Sequence, residues 1–293
     1  MNPETSPLAR YSDTASRSAG VVISRYSTSF GLACRLLGPA ARRNVENIYA
    51  LVRVADEAVD GAAAAAGLDP EAVGAQLDRL EQEVDTALGT GYSTNMVVHA
   101  FASTARRHGI GQDLTGPFFD SMRADLTIAR HDGTSLDRYI YGSAEVVGLM
   151  CLRVFRAMPG AASGHDQELE AAARSLGSAF QKVNFLRDLA ADQDELGRRY
   201  LGEADFDDAA KSALVNEIRA ELDAAATGIP FLAPGARRAV SLAHGLFAEL
   251  VERLDAVPVS HLLQHRVRVS GAGKAAILLR VATSRPVRAA GAA

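Results

Sequence analysis

The chain of 293 residues has no tryptophan, two cysteines and no apolar stretch long enough to cross a bilayer. Spanning takes about 18–20 apolar residues. The longest candidate, near positions 146–155, carries Arg153 and is flanked by Glu145 and Arg156. Cys34 and Cys151 are too few for a disulfide framework and suit a reduced, cytoplasmic setting. The first residues, MNPETSPLARYSD, lack the apolar core of a signal peptide. A basic excess is missing too. With 31 Lys+Arg against 35 Asp+Glu the formal net charge is -4, so nothing in the field draws nucleic acid. The seven histidines show no metal-ligand spacing, and none has Asp or Glu three residues before it, which excludes the Glu-x-x-His pairs of a di-iron bundle. No Ser-His-Asp or Cys-His arrangement stands out. The segment Gly271-Ala272-Gly273-Lys274-Ala275-Ala276 has dinucleotide-like spacing, but the last acidic residue of the chain is Asp255, so no acidic group follows to hold a ribose. No NAD(P)H site is expected.

What remains is alanine-rich, 48% hydrophobic and 23% charged, which excludes a disordered chain. Apolar residues recur at three- and four-residue steps almost throughout, and Val/Ile/Thr alternation is rare. The chain therefore reads as all-α. Breaks at Gly38-Pro39, Gly61–Pro70, Gly89–Gly91, Gly109–Pro117, Asp132–Thr134, Pro159–Gly164, Gly197–Asp208, Gly228–Pro234 and Val257-Pro258 leave roughly eight to ten helices. No interdomain linker or repeat is visible. Residues 1–20 read as a loose end, 21–281 as one domain and 282–293 as a loose basic tail.

Two helical segments carry polar stripes. In Asn44–Asp60, Tyr49, Arg53, Asp56 and Asp60 fall at i, i+4, i+7 and i+11, continuing an apolar face of Val45, Ile48 and Val52. In Ser175–Asp192, Gln181, Asn184, Asp188 and Asp192 fall at i, i+3, i+7 and i+11 among Leu176, Phe180, Val183, Leu186 and Leu189. Acidic pairs at i, i+4 are common on solvated surfaces, and Glu81/Asp85 and Glu217/Glu221 read that way. Asp–Asp at that spacing occurs only at 56/60 and 188/192, both on strongly apolar helices. Aspartates sharing a cavity must be neutralised by protons or cations. Oxygen-only ligands suit Mg²⁺, which usually bridges carboxylates to substrate phosphates. The stripes therefore predict a diphosphorylated substrate between two facing helices.

Five ordered segments resemble the squalene/phytoene synthase family, over about residues 21–270. They are YALVRVADEAVDG and FQKVNFLRDLAADQDELGRRYL around the aspartates, the Ser27–Phe30 segment, FFDSMRADL (118–126) and YIYGSAEVVGLM (139–150). The resemblance implies a single-domain isoprenoid-synthase helical bundle enclosing an apolar cavity. It also implies head-to-head joining of two prenyl diphosphates with Mg²⁺, or Mn²⁺ in its place. Carried over by residue, Asp56, Asp60, Asp188, Asp192 and Asn184 would hold metal, and Glu57 would assist. Arg53, Gln181 and Arg187 would support diphosphate and metals. Ser27, Ser29, Tyr49, Tyr200 and Arg266 would bond to diphosphate oxygens. Tyr139, Ala144, Val147 and Gly148 would line the place where the chains meet, with Tyr139 available for proton transfer. Phe247 stands where some members have tyrosine, and Gly202 where proline is usual; neither touches the aspartates.

Phe30 and Cys34 lie one helical turn apart, so Cys34 would sit deeper if Ser27 and Ser29 face the diphosphate. A small residue there leaves room for a fourth isoprene unit, which favours two geranylgeranyl diphosphates and phytoene. Squalene-type condensation of C15 substrates stays open, as does a non-catalytic relative acting as an assembly factor. Plainer readings also stand: Ser27 and Ser29 as helix caps, Gly142 and Gly148 as packing positions, Arg187 as a partner for Asp188, and the cysteines as small buried hydrophobes. The acid-free stretch from Ala256 to the end, with Arg268, Lys274, Arg280, Arg285 and Arg288 beside Ile277, Leu278 and Leu279, reads either as peripheral contact with the inner face of the cell membrane or as a solvated tail with one docked helix. Expected partners are prenyl diphosphates, that membrane and downstream carotenoid enzymes, with no nucleic acid.

Overall fold

Helix start and stop signals explain most boundaries of the computed structural model, which describes residues 6–128, 130–189 and 206–283. Ser6 accepts from the Ala9 N–H at 3.0 Å and Pro7 opens α1, Pro7–Tyr26. The short α2, Ser29–Cys34, is followed by α3, Pro39–Val59, again with proline at its start. A four-residue turn of helix, α4 (Ala62–Ala65), leads to α5, Pro70–Thr90, which Asp69 caps and which ends at Gly91 with φ +81°. Asn95 caps α6, Met96–His108, and α7 spans Gln112–Thr127. A capping box of Asp132 and Ser135 begins α8, Gly133–Ile140. One π turn, Tyr141–Glu145, joins it to α9, Val146–Arg156. The long helices α10 (Asp166–Arg187), α11 (Asp208–Gly228) and α12 (Pro234–Asp255) follow, then α13 (Val259–Leu262) and α14 (Gly271–Thr283).

The all-α expectation holds, and the helix total exceeds it. Among the described residues, eleven helices have eight or more residues. One of the additions comes from the π turn, which divides a single periodic segment into α8 and α9. A second difference is at the N-terminus. Residues 1–20 were expected to be loose, yet α1 docks on α3 and α6, with Ala15 and Ala19 fully buried against Ala50 and Ala100. Alanine buries little area per residue, so its stripe is faint in the sequence. It does allow close helix approach. The break expected over Gly109–Pro117 is also shorter: α7 starts at Gln112 and carries Pro117 inside it.

One core gathers around α3, with Ile48 and Leu51 meeting Phe101 of α6, Phe118 and Phe119 of α7 and Met150 of α9. Full burial of each such side chain contributes about 1.5–3 kcal/mol. A second core joins α10, α11, α12 and α13 through Val183, Leu186, Ile218, Leu254 and Leu262. The π turn lies against both α7 and α10 and so sits between them. Three glycines permit this. A Cβ on Gly142 would lie 2.1 Å from the Pro117 carbonyl oxygen, one on Gly177 2.7 Å from that of Ala144, and one on Gly148 2.6 Å from that of Ala173. Among the described residues no helix is long and apolar enough to cross a membrane.

Candidate active site

Both aspartate stripes arrive at helix C-termini. Asp60 is the C-cap of α3, with its N–H on the Asp56 carbonyl at 2.9 Å. Asp188 is the C-cap of α10, with its N–H on the Asn184 carbonyl at 2.9 Å. The regular helices therefore stop before the last aspartate that the stripes assumed. Asp192 and Tyr200 lie outside the described residues. A helix C-terminus is the negative end of its dipole, so carboxylates gathered there repel it as well as each other. Such a site selects cations.

The protein's own arginines supply some of them. Arg53 donates to Asp56 Oδ2 at 2.5 Å and also pairs with Glu57. Its Nε is buried without a partner. Arg53 also lies over the Tyr26 ring, 4.6 Å from its centroid. On α10, Arg187 grips its neighbour Asp188, with Nη2 2.5 Å from Oδ2, as the plainer reading expected. Arg266, from the loop after α13, reaches the same carboxylate from 78 residues away, with Nε 2.7 Å from Oδ1 and Nη2 3.2 Å from Oδ2. Burial, and then the facing Asp60, push Asp56 up to about 7 against the pull of Arg53; Asp125 and Glu57 add to the rise.

Asp125 is the residue that sequence reasoning missed. It lies within the quoted 118–126 segment, on the α7 face that also carries Phe118, Ser121 and Met122. A buried carboxylate that ends an apolar face is the signal the two stripes gave, here with one aspartate instead of two. Asp125 Oδ2 accepts from the Tyr139 hydroxyl at 3.0 Å. Tyr139 is buried, packs 4.9 Å from the His131 ring and 6.2 Å from the Phe185 ring of α10, and its carbonyl accepts from Ser121 at 3.1 Å. Asp125 on α7 thus bears electrostatically on Asp56 of α3 and contacts Tyr139 of α8, which packs on the α10 face.

The early serine segment lies over α3. Ser27 Oγ accepts from the Phe30 N–H at 3.2 Å, the capping role of the plainer reading. Burial raises the Tyr49 phenol above its ordinary range. Phe30 stacks on Tyr49 at 5.7 Å, and Ser29 opens α2. Cys34, one turn further, is 3% exposed in the α3 core, where burial pushes its thiol far up. Cys34 and Cys151 are free thiols, and both behave as small hydrophobes. Gln181 and Asn184 are half-buried on α10. Ala144 and Gly148 make backbone contact with α10, at Gly177 and Ala173, so they serve close helix packing, while Val147 packs against the α3 core.

Do these groups fit a divalent cation? The donors are oxygens without histidine, and Asp60 and Asp125 add to the negative charge felt at Asp56, an excess that a cation would relieve. Among the described residues no three acidic or His/Cys groups come close enough to hold an ion by themselves. A divalent cation there would need further ligands, such as substrate phosphates.

Residues 23–272 match the squalene/phytoene synthase family. The chain belongs to that family. Among its relatives, a phytoene synthase from Daucus carota is 34% identical over 183 residues, covering 62% of this chain and 44% of that protein. A 15-cis-phytoene synthase from Paracoccus sp. is 32% identical over 185 residues, covering 61% of this chain and 57% of that protein. The matches thus span about half the length of these curated relatives. A dehydrosqualene synthase structure superposes with a TM-score of 0.77 at 21% identity, covering 94% of this chain and 98% of the other. The squalene synthase HpnC from Alicyclobacillus acidocaldarius gives 0.70 at 18% identity, covering 83% and 94%. These structures share the helical fold.

Proposed function

We propose that this chain is a prenyltransferase that joins two geranylgeranyl diphosphates head to head, through a cyclopropyl prephytoene diphosphate, to give phytoene for carotenoid synthesis. The observation that carries this reading is the meeting of Arg266 with Asp188 at the end of the second stripe, where the chain brings cations to an anionic helix end. Relatives named phytoene synthase support the C20 choice over C15.

Asp56, Asp60, Asn184, Asp188 and, outside the described residues, Asp192 would hold Mg²⁺, which would neutralise the diphosphate leaving group. Arg53, Arg187 and Arg266 would take up the charge that develops as the allylic C–O bond breaks. Their present carboxylate contacts mark where diphosphate oxygens would compete. Tyr49, Ser27 and Ser29 would add hydroxyl donors to the diphosphate oxygens. The carbocation that departure leaves must stay away from water. Phe30, the α3 core and Tyr139 supply an apolar surround, and Asp125 orients the Tyr139 hydroxyl. The proton lost from the joined chains would go to the departed diphosphate, or to the Tyr139 oxygen as the Tyr139 hydroxyl proton passes to Asp125.

Incubation of the full chain with labelled C20 diphosphate and Mg²⁺, followed by extraction of apolar products, tests the reading. Phytoene is the expected product, and EDTA should abolish it. Turnover of C15 diphosphate alone would replace this assignment with a squalene-type one. Failure to bind any diphosphate would favour the non-catalytic reading. Peripheral contact of the C-terminal segment with an anionic membrane, where oily substrate and product would be exchanged, belongs to the same proposal.

A further inference from the structure

We propose that Lys211 and Asp208, in the first turn of α11, form a two-point clamp that positions Arg266 at the end of the second aspartate helix. The proposal rests on the reading of Arg266 as a diphosphate ligand.

Lys211 is 4% exposed. A buried ammonium is costly unless its hydrogens are all taken. Here they are directed to three carbonyl oxygens at the end of α12: Leu254 at 3.4 Å, Asp255 at 2.9 Å, and Val257. The first two contacts are what a cation capping a helix C-terminus would make. The third reaches beyond the helix, into the reversal that leads to α13. Asp208 extends the grip: its Oδ1 accepts from the Val259 N–H at 2.8 Å and lies 3.9 Å from Lys211 Nζ. One turn of α11 thus holds the chain on both sides of Pro258.

What leaves that reversal is the segment carrying Arg266. It contains only the one-turn α13, tied down by buried Val259 and Leu262, with Val267 beyond Arg266 packed partly against the same core. Arg266 is 51% exposed, and its ion-pair partner among the described residues is Asp188. A diphosphate arriving at the site would compete for that arginine. Once Arg266 gives up Asp188, its position depends on where its backbone is anchored. The clamp supplies an anchor that involves neither Asp188 nor the ligand. Lys211 and Asp208 are therefore positioning residues, acting through Arg266.

The test is a double-mutant cycle on the full chain, reading calorimetric affinity for inorganic diphosphate with Mg²⁺ and the thermal midpoint of each variant. Arg266→Ala should weaken binding about tenfold, the scale of one charge-assisted contact. Lys211→Met should weaken it roughly threefold or more, as coupled neighbours do. In combination they should bind no more weakly than Arg266→Ala alone, and Lys211→Arg should recover part of the loss. Losses that multiply in the double variant would overturn the clamp, because Lys211 would then act by general stability. So would unchanged affinity in a folded Lys211→Met beside a weakened Arg266→Ala. Unchanged affinity in Arg266→Ala would instead remove the ligand role of Arg266 and overturn the proposal at its base. If Lys211→Met does not fold, Asp208→Ala, whose side chain is 65% exposed, carries the same cycle with the same outcomes.

Discussion

Burial disfavours the charged form of Asp56, and Asp60, Asp125 and Glu57 add like charge, so the group is held up to about 7. Its ordinary value is about 3.9. A carboxyl raised in the folded state contributes stability that is complete below the ordinary value and is lost as pH rises through the folded one. In EDTA, wild type should therefore lose thermal stability between about pH 4 and pH 8 relative to Asp56→Asn. The gap at pH 8 should be roughly 1 kcal/mol, reduced from the full shift because the side chain is one-third exposed. The same substitution should abolish turnover, and thermal scans at several pH values alongside activity assays check both parts. An asparagine variant that is less stable at every pH would mean that Arg53 outweighs the crowding. Cys34 allows a second test at this scale. It is buried one turn beyond Phe30, which stacks on Tyr49. Cys34→Phe should shift preference from C20 to C15 diphosphate, at a stability cost of about 1–3 kcal/mol for overpacking. Product ratios from mixed substrates read the outcome, and an unchanged ratio would take Cys34 off the pocket wall.

Among the elements, α3 and α10 were legible because polar residues complete an apolar face at helical spacing, a pattern that chance rarely gives twice. Two other elements were not. The π turn depends on Gly142 lying under the Pro117 carbonyl and Gly177 under that of Ala144, contacts between segments far apart in sequence that no local pattern records. Asp125 was hidden for a related reason: a lone aspartate on an apolar face looks like surface until Tyr139 is placed on it. The N-terminal helix was missed because alanine packs closely with little hydrophobic signal. Its docking also uses a polar clasp, in which the Ser93 N–H donates to His99 Nδ1 at 3.4 Å while Ser12 Oγ lies 2.8 Å from Nε2. Burial lowers His99 below its ordinary value of about 6.5. A lowered histidine contributes stability that is present above its ordinary value and lost as pH falls through the folded one. The protection factors of α1 amides should therefore fall on acidification below the ordinary histidine range, before those of α10. His99→Gln should remove this pH step. Equal acid sensitivity in α1 and α10 would mean that His99 does not control the docking.

For the whole molecule, the question is how an oily substrate of the proposed kind would reach a bundle that buries its cores. The structure alters the terms of the C-terminal expectation. Ile277 of α14 is 6% exposed and fills a cluster with Ala33, Leu242, Ala243 and Leu246, and Leu278 and Val281 pack against the same cluster. Lys274 donates to Thr28 at 2.8 Å, next to the serine segment of the candidate site. Much of the helix's apolar face is therefore spent on docking, as the plainer reading expected. What it still presents outward is Leu279, 65% exposed, and Arg280, with exposed Arg268 in the segment just before the helix. Each basic residue near an anionic surface adds about 1 kcal/mol of attraction, screened by salt. The full chain should therefore bind phosphatidylserine-containing vesicles at low salt and leave them as salt rises. Cutting after Gly273 should weaken that binding, but it also removes Ile277 from its cluster, so loss of binding alone could report misfolding. Leu279→Glu separates the two effects, because it changes the outward position and spares the docked face. It should reduce vesicle flotation several-fold, a few kcal/mol at most for one buried leucine, with an unchanged thermal midpoint. Equal flotation by wild type and folded Leu279→Glu would show that the lipid contact, if any, lies elsewhere on the surface. Absence of flotation by wild type at low salt would remove the membrane from the proposed function altogether.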